Sequence, residues 1–356
     1  MSHKAGPPDL IVKNHQGIEL ARMTEEHSSA WGQFVLAHDE GNIFQTPEMA
    51  EVYQRHEALQ PVTLLALEKG SGAVCGGLVG LLLVEKPGVL SALSTRAIIQ
   101  GGPLFRPDRV GRQAVPLLME AFDECAGSKA LFGEIWNLFA VAAGGDVFTG
   151  TGYEWLDHLN FLIDLRRSPD DIFASFSKSR RKNLRRSEQA GVTVSEITSA
   201  DDLDIFYELL RETYDRVRLP LVSPAFFNIA FEILVSKQMA HFFLARHGGE
   251  AIGARAVLTY KNLVYDWFAG SPGEAQELYP DETLVWHILQ WAVANGYTCF
   301  NFGGAGKPGQ EYGPREFKRR FGGELVNLGR YRKIYSPVKL KLAEFGLRAY
   351  QMLPAR

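Results

Sequence analysis

In the second half of the chain three apolar runs follow one another at short intervals: HFFLARH at 241–247, EAIGARAVLTY at 250–260 and LVYDWFAGS at 263–271. GGE and KN separate them, and both are turn signals, so the pattern predicts three antiparallel strands joined by hairpins. A polar loop, SPGEAQELYPDE, comes next, and TLVWHILQWAVANGY then changes the period. Leu284, Ile288 and Ala292 fall on one helical face with Val285 and Leu289, and Gly296 stands where a helix is capped. TCFNFGG at 298–304 reads as another buried strand. Upstream, GVTVSEITSADDLDIFYELLRETYDRV reads as a strand and a helix. SPAFFNIAFEILV follows as a second helix, with Ser223 as N-cap and Pro224 in the first turn.

The first half says the same thing again. IELARMTEEHSSAWGQFVLA opens it, and VTLLALEK, VCGGLVGLLLVEK and LSTRAIIQGGPLF supply three strands. A helix in RQAVPLLMEAFDECA and a strand in LFGEIWNL complete it. The longest apolar run, AVCGGLVGLLLV at 73–84, has twelve residues. A membrane span needs about twenty, so this run is expected as a buried strand. A chain of 356 residues exceeds one ordinary core and predicts two domains.

Strand, two helices, three antiparallel strands, helix, strand is the order of the GNAT acyltransferase fold. Two copies joined by a basic helix resemble the FemABX family of peptidoglycan interpeptide-bridge aminoacyltransferases. More closely, the chain is similar to the GNAT-like branch found with cell-envelope polysaccharide systems. The resemblance covers about residues 18–335 and is sharpest in IFASFSKSRRKNLRRSEQAGVTV at 172–194 and in 281–323, which ends GPREFKRRFGG. It implies an α/β (α+β) architecture of two tandem GNAT-like domains. The first is expected over 1–165 and the second over 166–331, opening with the basic helix, with 332–356 returning to the first domain. It also implies an enzyme that moves an acyl or aminoacyl group to an amine of a peptidoglycan or polysaccharide precursor. The donor is aminoacyl-tRNA or acyl-CoA, with no tightly bound cofactor. Expected partners are a phosphorylated envelope precursor, tRNA and the inner membrane face, and not DNA.

Composition fits this picture, since 46% apolar and 22% charged residues are the proportions of a soluble globular protein. Cys75, Cys125 and Cys299 form no pair spacing, which suggests reduced thiols and a cytoplasmic location. The opening MSHKAGPPDLIVKNHQG has no apolar core for a signal peptide. Net charge is only −3, but it is unevenly placed. Residues 178–186, KSRRKNLRR, carry six basic and no acidic side chains, and residues 315–341 carry nine basic and two acidic. Such asymmetry suits an anionic partner docking at one region, or two solvated basic surfaces.

The basic helix is expected to start at Pro169-Asp170-Asp171, with negative charge at its positive end. At about 100° per residue, Lys178, Arg181, Lys182, Arg185 and Arg186 share one face, suited to phosphates of tRNA or of a lipid-linked precursor. Ile172, Phe173, Phe176 and Leu184 share the opposite face, and Arg180 falls among them. A guanidinium there needs a buried carboxylate, carbonyls or a bound anion. Arg180 therefore either binds substrate, reaches water or staples elements through an acid.

Residues 301–324, NFGGAGKPGQEYGPREFKRRFGGE, hold seven glycines and a basic cluster between two phenylalanines. This is no P-loop: Gly306-Lys307 is followed by Pro308, and Asn301 stands where the first glycine is required. Acyl transfer to an amine passes through a tetrahedral intermediate with a developing oxyanion, and one well-placed donor lowers that barrier by roughly 3–4 kcal/mol. Lys318 meets the requirement, a compact charge on a flexible stem. Phe317 and Phe321 exclude water, and Gly303 and Gly304 let the backbone pass close to a bulky substrate. The resemblance assigns Phe317 and Lys318, as the matching FK pair, to donor binding and catalysis. The other reading of Lys318 is a surface lysine in a basic corner. Candidates for taking the amine's proton are Asp266, Glu311 and Tyr312, although in the family the substrate assists that step. Tyr312 also joins the substrate-binding candidates. Asn301 stands where many relatives carry aspartate, which removes one carboxylate. For the acceptor, the resemblance points to ELLRETYDRVRLPLVSPAFF and names Arg211, Tyr214 and Arg218, while Tyr214 also fits the packing stripe with Phe206 and Leu210.

Other chemistries find little support. A conventional acetyl-CoA enzyme carries a Q/RxxGxG/A loop at a helix N-terminus. SPGEAQELYPDE fails that pattern, and RPDRVGRQA echoes it only through Arg109 and Gly111. The nine histidines form no HExxH or HxxxH, so no metal is expected, and GxSxG is missing. A non-catalytic RNA- or envelope-binding scaffold accounts for the charge but not for the FK pair beside a glycine loop.

Overall fold

The protein is described by a computed structural model covering residues 14, 15, 17–84, 93–140 and 145–351. The opening MSHKAGPPDLIVK and the last five residues of the expected C-terminal segment lie outside the described residues, as do Glu85 and Lys86. The chain divides into two compact units, Met1–Leu156 with Leu328–Arg356, and Asp157–Asn327.

In the first unit β1 (Asn14–His15), β2 (Ile18–Arg22), α1 (Glu25–Ala37) and α2 (Pro47–Arg55) precede β3 (Gln60–Glu68), β4 (Val74–Val84) and β5 (Thr95–Gln100). β6 (Leu104–Phe105), α3 (Arg109–Ala126), β7 (Phe132–Trp136), α4 (Gly145–Thr149) and β8 (Glu154–Leu156) follow. The second unit runs β9 (Leu159–Asp164), α5 (Pro169–Ser175), α6 (Lys178–Gln189), β10 (Thr193–Glu196), α7 (Asp201–Arg216) and α8 (Pro224–Ala230). It continues through β11 (Ala240–His247), β12 (Glu250–Tyr260), β13 (Leu263–Gly270), α9 (Pro280–Ala294), β14 (Cys299–Gly304), α10 (Gly313–Arg319) and β15 (Glu324–Asn327). β16 (Arg330–Ile334) and α11 (Pro337–Gln351) belong to the first unit again.

Each unit thus has strand, two helices, three antiparallel strands, helix and a strand parallel to the third, the order expected from the sequence. The first sheet runs β1-β2-β3-β4-β5-β7-β16-β8 with β6 beside β4, and the second runs β10-β11-β12-β13-β14-β9-β15. Around Leu156–Leu159 and again around Asn327–Arg330 the chain passes between sheets, so that β8 and β16 pair in the first and β9 and β15 flank in the second. The division therefore falls after residue 156, ahead of the boundary at 165 read from the sequence, because Leu159–Asp164 is a strand of the second sheet.

The second core is built as its pattern dictates. Leu284, Val285, Ile288, Leu289 and Ala292 of α9 are fully buried against Phe243, Val257 and Phe300 of the sheet. Each large apolar side chain removed from water contributes roughly 1.5–3 kcal/mol. Gly296 has φ of +79° just past α9, the left-handed turn that ends a helix. Two details depart from expectation. SPAFFNIAFEILV is α8 followed by a π-helical turn over Phe231–Val235. The expected single basic helix is two, α5 and α6. Phe176 is extended, and Ser177 starts α6 by accepting the amide of Arg180 at 3.2 Å.

Candidate active site

The second unit holds a cluster around the ends of β13 and β14. These parallel strands pair at Leu263↔Cys299, Val264↔Phe300 and Tyr265↔Asn301, and the register goes no further, although β13 continues to Gly270 and β14 to Gly304. Beyond that point Lys318 takes up backbone acceptors of β14: its Nζ donates to the carbonyls of Phe302 at 2.6 Å and Gly304 at 2.7 Å. Two of the ammonium's three N–H groups are thereby fixed and one is left for another acceptor. Lys318 is partly buried rather than the surface lysine of the alternative reading. Burial pushes its pKa down to about 8, the nearby Arg255 cation adds to this, and Asp266 opposes it.

The lysine reaches this position because α10 is locked from beneath. Phe321 is fully buried, with its ring 5.1 Å from that of Phe176 and 5.5 Å from that of Phe302. Phe317 packs 5.4 Å from Phe321. Arg180 lies under both rings, 4.4 Å from the centroid of Phe317 and 4.3 Å from that of Phe321. Its guanidinium donates to the Phe317 carbonyl at 3.0 Å and forms an ion pair with Glu282. Burial, only partly offset by Glu282, lowers its pKa to about 10. Arg180 is 2% exposed and its charge is met within the unit by Glu282, so of its three readings it takes the staple through an acid, and the substrate-binding one is not seen. Arg180 positions the FK pair.

Of the expected candidates Asp266 acts on the charge of Lys318, and so does Arg255, which was not expected. Asp266 accepts from Arg255 Nη1 with both oxygens, at 2.7 and 2.6 Å, so both oxygens of the carboxylate are engaged in an ion pair. Burial raises the Tyr214 phenol to about 12, with Asp266 and Tyr312 adding to the effect, so it stays a neutral donor at ordinary pH. Tyr312 is exposed at the start of α10, and Glu311 beside it is exposed on the loop. Arg255, buried at 4% exposure, went unrecognised in the sequence. The signal was available: a single arginine at the centre of the otherwise apolar run EAIGARAVLTY.

Gly303 has φ of +70°, a conformation that side chains resist. At Gly304 a Cβ would stand 2.6 Å from His158 Nε2, so any side chain there would have to displace that imidazole. Asn301 is fully buried. Its Oδ1 accepts from the Gly303 amide at 2.8 Å and from Asn160 at 3.4 Å, which makes it part of the strand's bend. Arg315, also missed, gathers the loop by donating to the carbonyls of Ala305 at 2.7 Å, Gln310 at 2.8 Å and Lys307.

The remaining candidates are spread out. Lys178, Arg181, Lys182, Arg185 and Arg186 line one open concavity of about 750 Å³ with Asp170 and Phe173. Arg211 is exposed and paired with Glu208 on its own helix, and Arg218, exposed with φ of +55°, turns the chain after α7. Where a conventional acetyltransferase offers amides to a pyrophosphate, α9 begins with Pro280, Asp281 and Glu282. Proline lacks the amide, and two carboxylates neutralise the helix dipole. Among the described residues no cluster of three or more histidine, cysteine, aspartate or glutamate side chains is arranged for a metal.

The element order of the two units, with its parallel pair of strands, defines a fold class. Residues 174–319 match the family model described as an acetyltransferase (GNAT) domain, and the second unit is a GNAT acyltransferase domain. Over its length the chain has a FemABX-like tandem GNAT fold. It is similar to FemX, with TM-score 0.67 at 16% identity over 91% of this chain and 99% of that one. It is similar also to L-PGS from Bacillus licheniformis, with TM-score 0.56 at 16% identity over 94% and 98%. A tandem GNAT protein from the clavulanic acid biosynthesis pathway gives TM-score 0.55 at 13% identity over 90% and 99%. Comparison with curated protein sequences returns no match.

Proposed function

We propose that the second unit transfers an aminoacyl group from tRNA to an amine of a phosphorylated cell-envelope precursor. The observation that carries the reading is Lys318, fixed by two carbonyls with one N–H to spare. The acceptor's amine nitrogen attacks the ester carbonyl carbon, and the carbonyl electrons move to oxygen, where the remaining N–H of Lys318 meets the growing charge. Collapse of the intermediate re-forms the carbonyl and expels the donor's ribose oxygen, which takes the proton lost by the amine. With Asp266 held by Arg255, this transfer within the substrates needs no dedicated protein base. Phe317 walls the donor side. The basic face of α6 engages phosphates of the tRNA or of the precursor. The acidic first turn of α9 supports a donor other than acyl-CoA in this unit.

A second reading is an acyl-CoA-dependent N-acetyltransferase, favoured by the acetyltransferase family match. Calorimetric titration with acetyl-CoA and with aminoacyl-tRNA, at one fixed salt concentration, separates the two. Tight tRNA binding without acetyl-CoA heat is the expected outcome. Micromolar acetyl-CoA binding without tRNA binding overturns the aminoacyl reading.

A further inference from the structure

The helix α11 carries an uncovered apolar stripe. Val338, Leu342 and Phe345, spaced four and three apart on one helical face, are 71%, 58% and 75% exposed. Leu340 and Ala343, toward the opposite side, are partly buried. Lys339 and Lys341 are both exposed and lie on either flank of the stripe. Residues 332–356 contain six basic side chains against the single acid Glu344. The helix is also well anchored. Ser336 accepts the Leu340 amide at 3.0 Å to start it, and the preceding Tyr335 donates from its hydroxyl to Asp123 at 2.6 Å.

We propose that α11 lies in the plane of an anionic lipid surface, with Val338, Leu342 and Phe345 inserted among the acyl chains and the lysines at the phosphates. An apolar stripe flanked by cations is the pattern of an interfacial helix, whose lysine stems run along the apolar layer while their ammonium groups stay in water. The charge selects the occupant. A second copy of this chain would add its own Lys339 and Lys341 to the same interface, like charge to like, whereas anionic headgroups complement them. Among the described residues no helix is long and apolar enough to cross a membrane, so contact through α11 is peripheral.

The test is co-sedimentation of the full chain with vesicles of phosphatidylcholine alone and of phosphatidylcholine mixed with phosphatidylglycerol, at low and high salt. Binding is expected to the mixed vesicles only and to weaken with salt. It should fall at least about tenfold both in L342D/F345D and in K339E/K341E. The substituted side chains are exposed, so thermal melts should match the parent, and Phe345→Ser serves if the double variant melts early. Absence of vesicle binding overturns the proposal. So does loss in K339E/K341E with none in the charge-neutral L342S/F345S, which means adsorption by charge alone. A dimer in light scattering that L342D/F345D dissociates, with no vesicle binding, assigns the stripe to a second copy instead.

Discussion

The two units share an element order and differ at one joint. In the first, parallel β5 and β7 pair from Ala97↔Gly133 through Gln100↔Trp136, and the Gly101 amide continues to the Trp136 carbonyl at 2.8 Å. In the second, β13 and β14 part after Tyr265↔Asn301. The buried charge at each joint follows. In the first unit Glu134, 2% exposed, accepts from Arg332 at 2.8 Å and from the Trp136 indole at 2.7 Å. Burial alone would raise its pKa, but Arg332, Trp136 and Arg330 outweigh it and hold it low. That group is closed. In the second unit the charge is a lysine on open carbonyls with a donor left over. One copy of the fold is zipped at this joint and the other comes apart there, which is where the proposed transfer is placed.

This contrast can be broken from both sides. Glu134→Ala leaves Arg330 and Arg332 without their buried carboxylate. It should cost about 3–5 kcal/mol of stability in denaturant melts while the transfer rate per folded molecule stays unchanged. Lys318→Met should do the reverse. Single-turnover transfer should fall about 10²–10³-fold, the loss of one oxyanion donor, with the melt little altered. Arg180→Met tests the support beneath the site. Glu282 then keeps a mostly buried charge without its partner, and stability should fall by about 3 kcal/mol or more, with activity following the position of α10. The smallest effect is expected at Ser177→Ala, where loss of the α6 cap costs about 1 kcal/mol in the same melts.

Much of this was legible in the residues. Apolar runs of strand and helix period gave the element order twice, and Gly296 ended its helix as a glycine at that place should. The glycine-rich segment with its FK pair marked the region of the cluster. What stayed hidden depends on individual side-chain contacts, some of them distant in sequence. The break between α5 and α6 turns on one serine that reads equally well inside a helix or before one. Arg180 looked available for an anion because Glu282, about a hundred residues away, gives no local sign of meeting it. Arg255 meets Asp266 across a strand pair, and Arg315 takes up carbonyls of its own loop, contacts that residue period does not specify. The passage of β9 and β15 into the second sheet is likewise a matter of pairing, which period alone does not specify.

The pH dependence of transfer tests the role of Lys318 most directly. Its folded pKa of about 8 lies below its ordinary value of 10.5, so the folded state holds fewer protons than the unfolded one between these values. The stability penalty of the buried ammonium is therefore full below pH 8 and is relieved as pH rises toward 10.5. Catalysis should move the other way, because the oxyanion needs the cation. In single turnovers with saturating donor and acceptor, the wild-type rate should bend downward above about pH 8, and Lys318→Arg should remove that bend at a lower plateau. A wild-type rate that instead climbs through pH 8, with the climb lost in Lys318→Arg, would make the neutral amine a base and contradict this account.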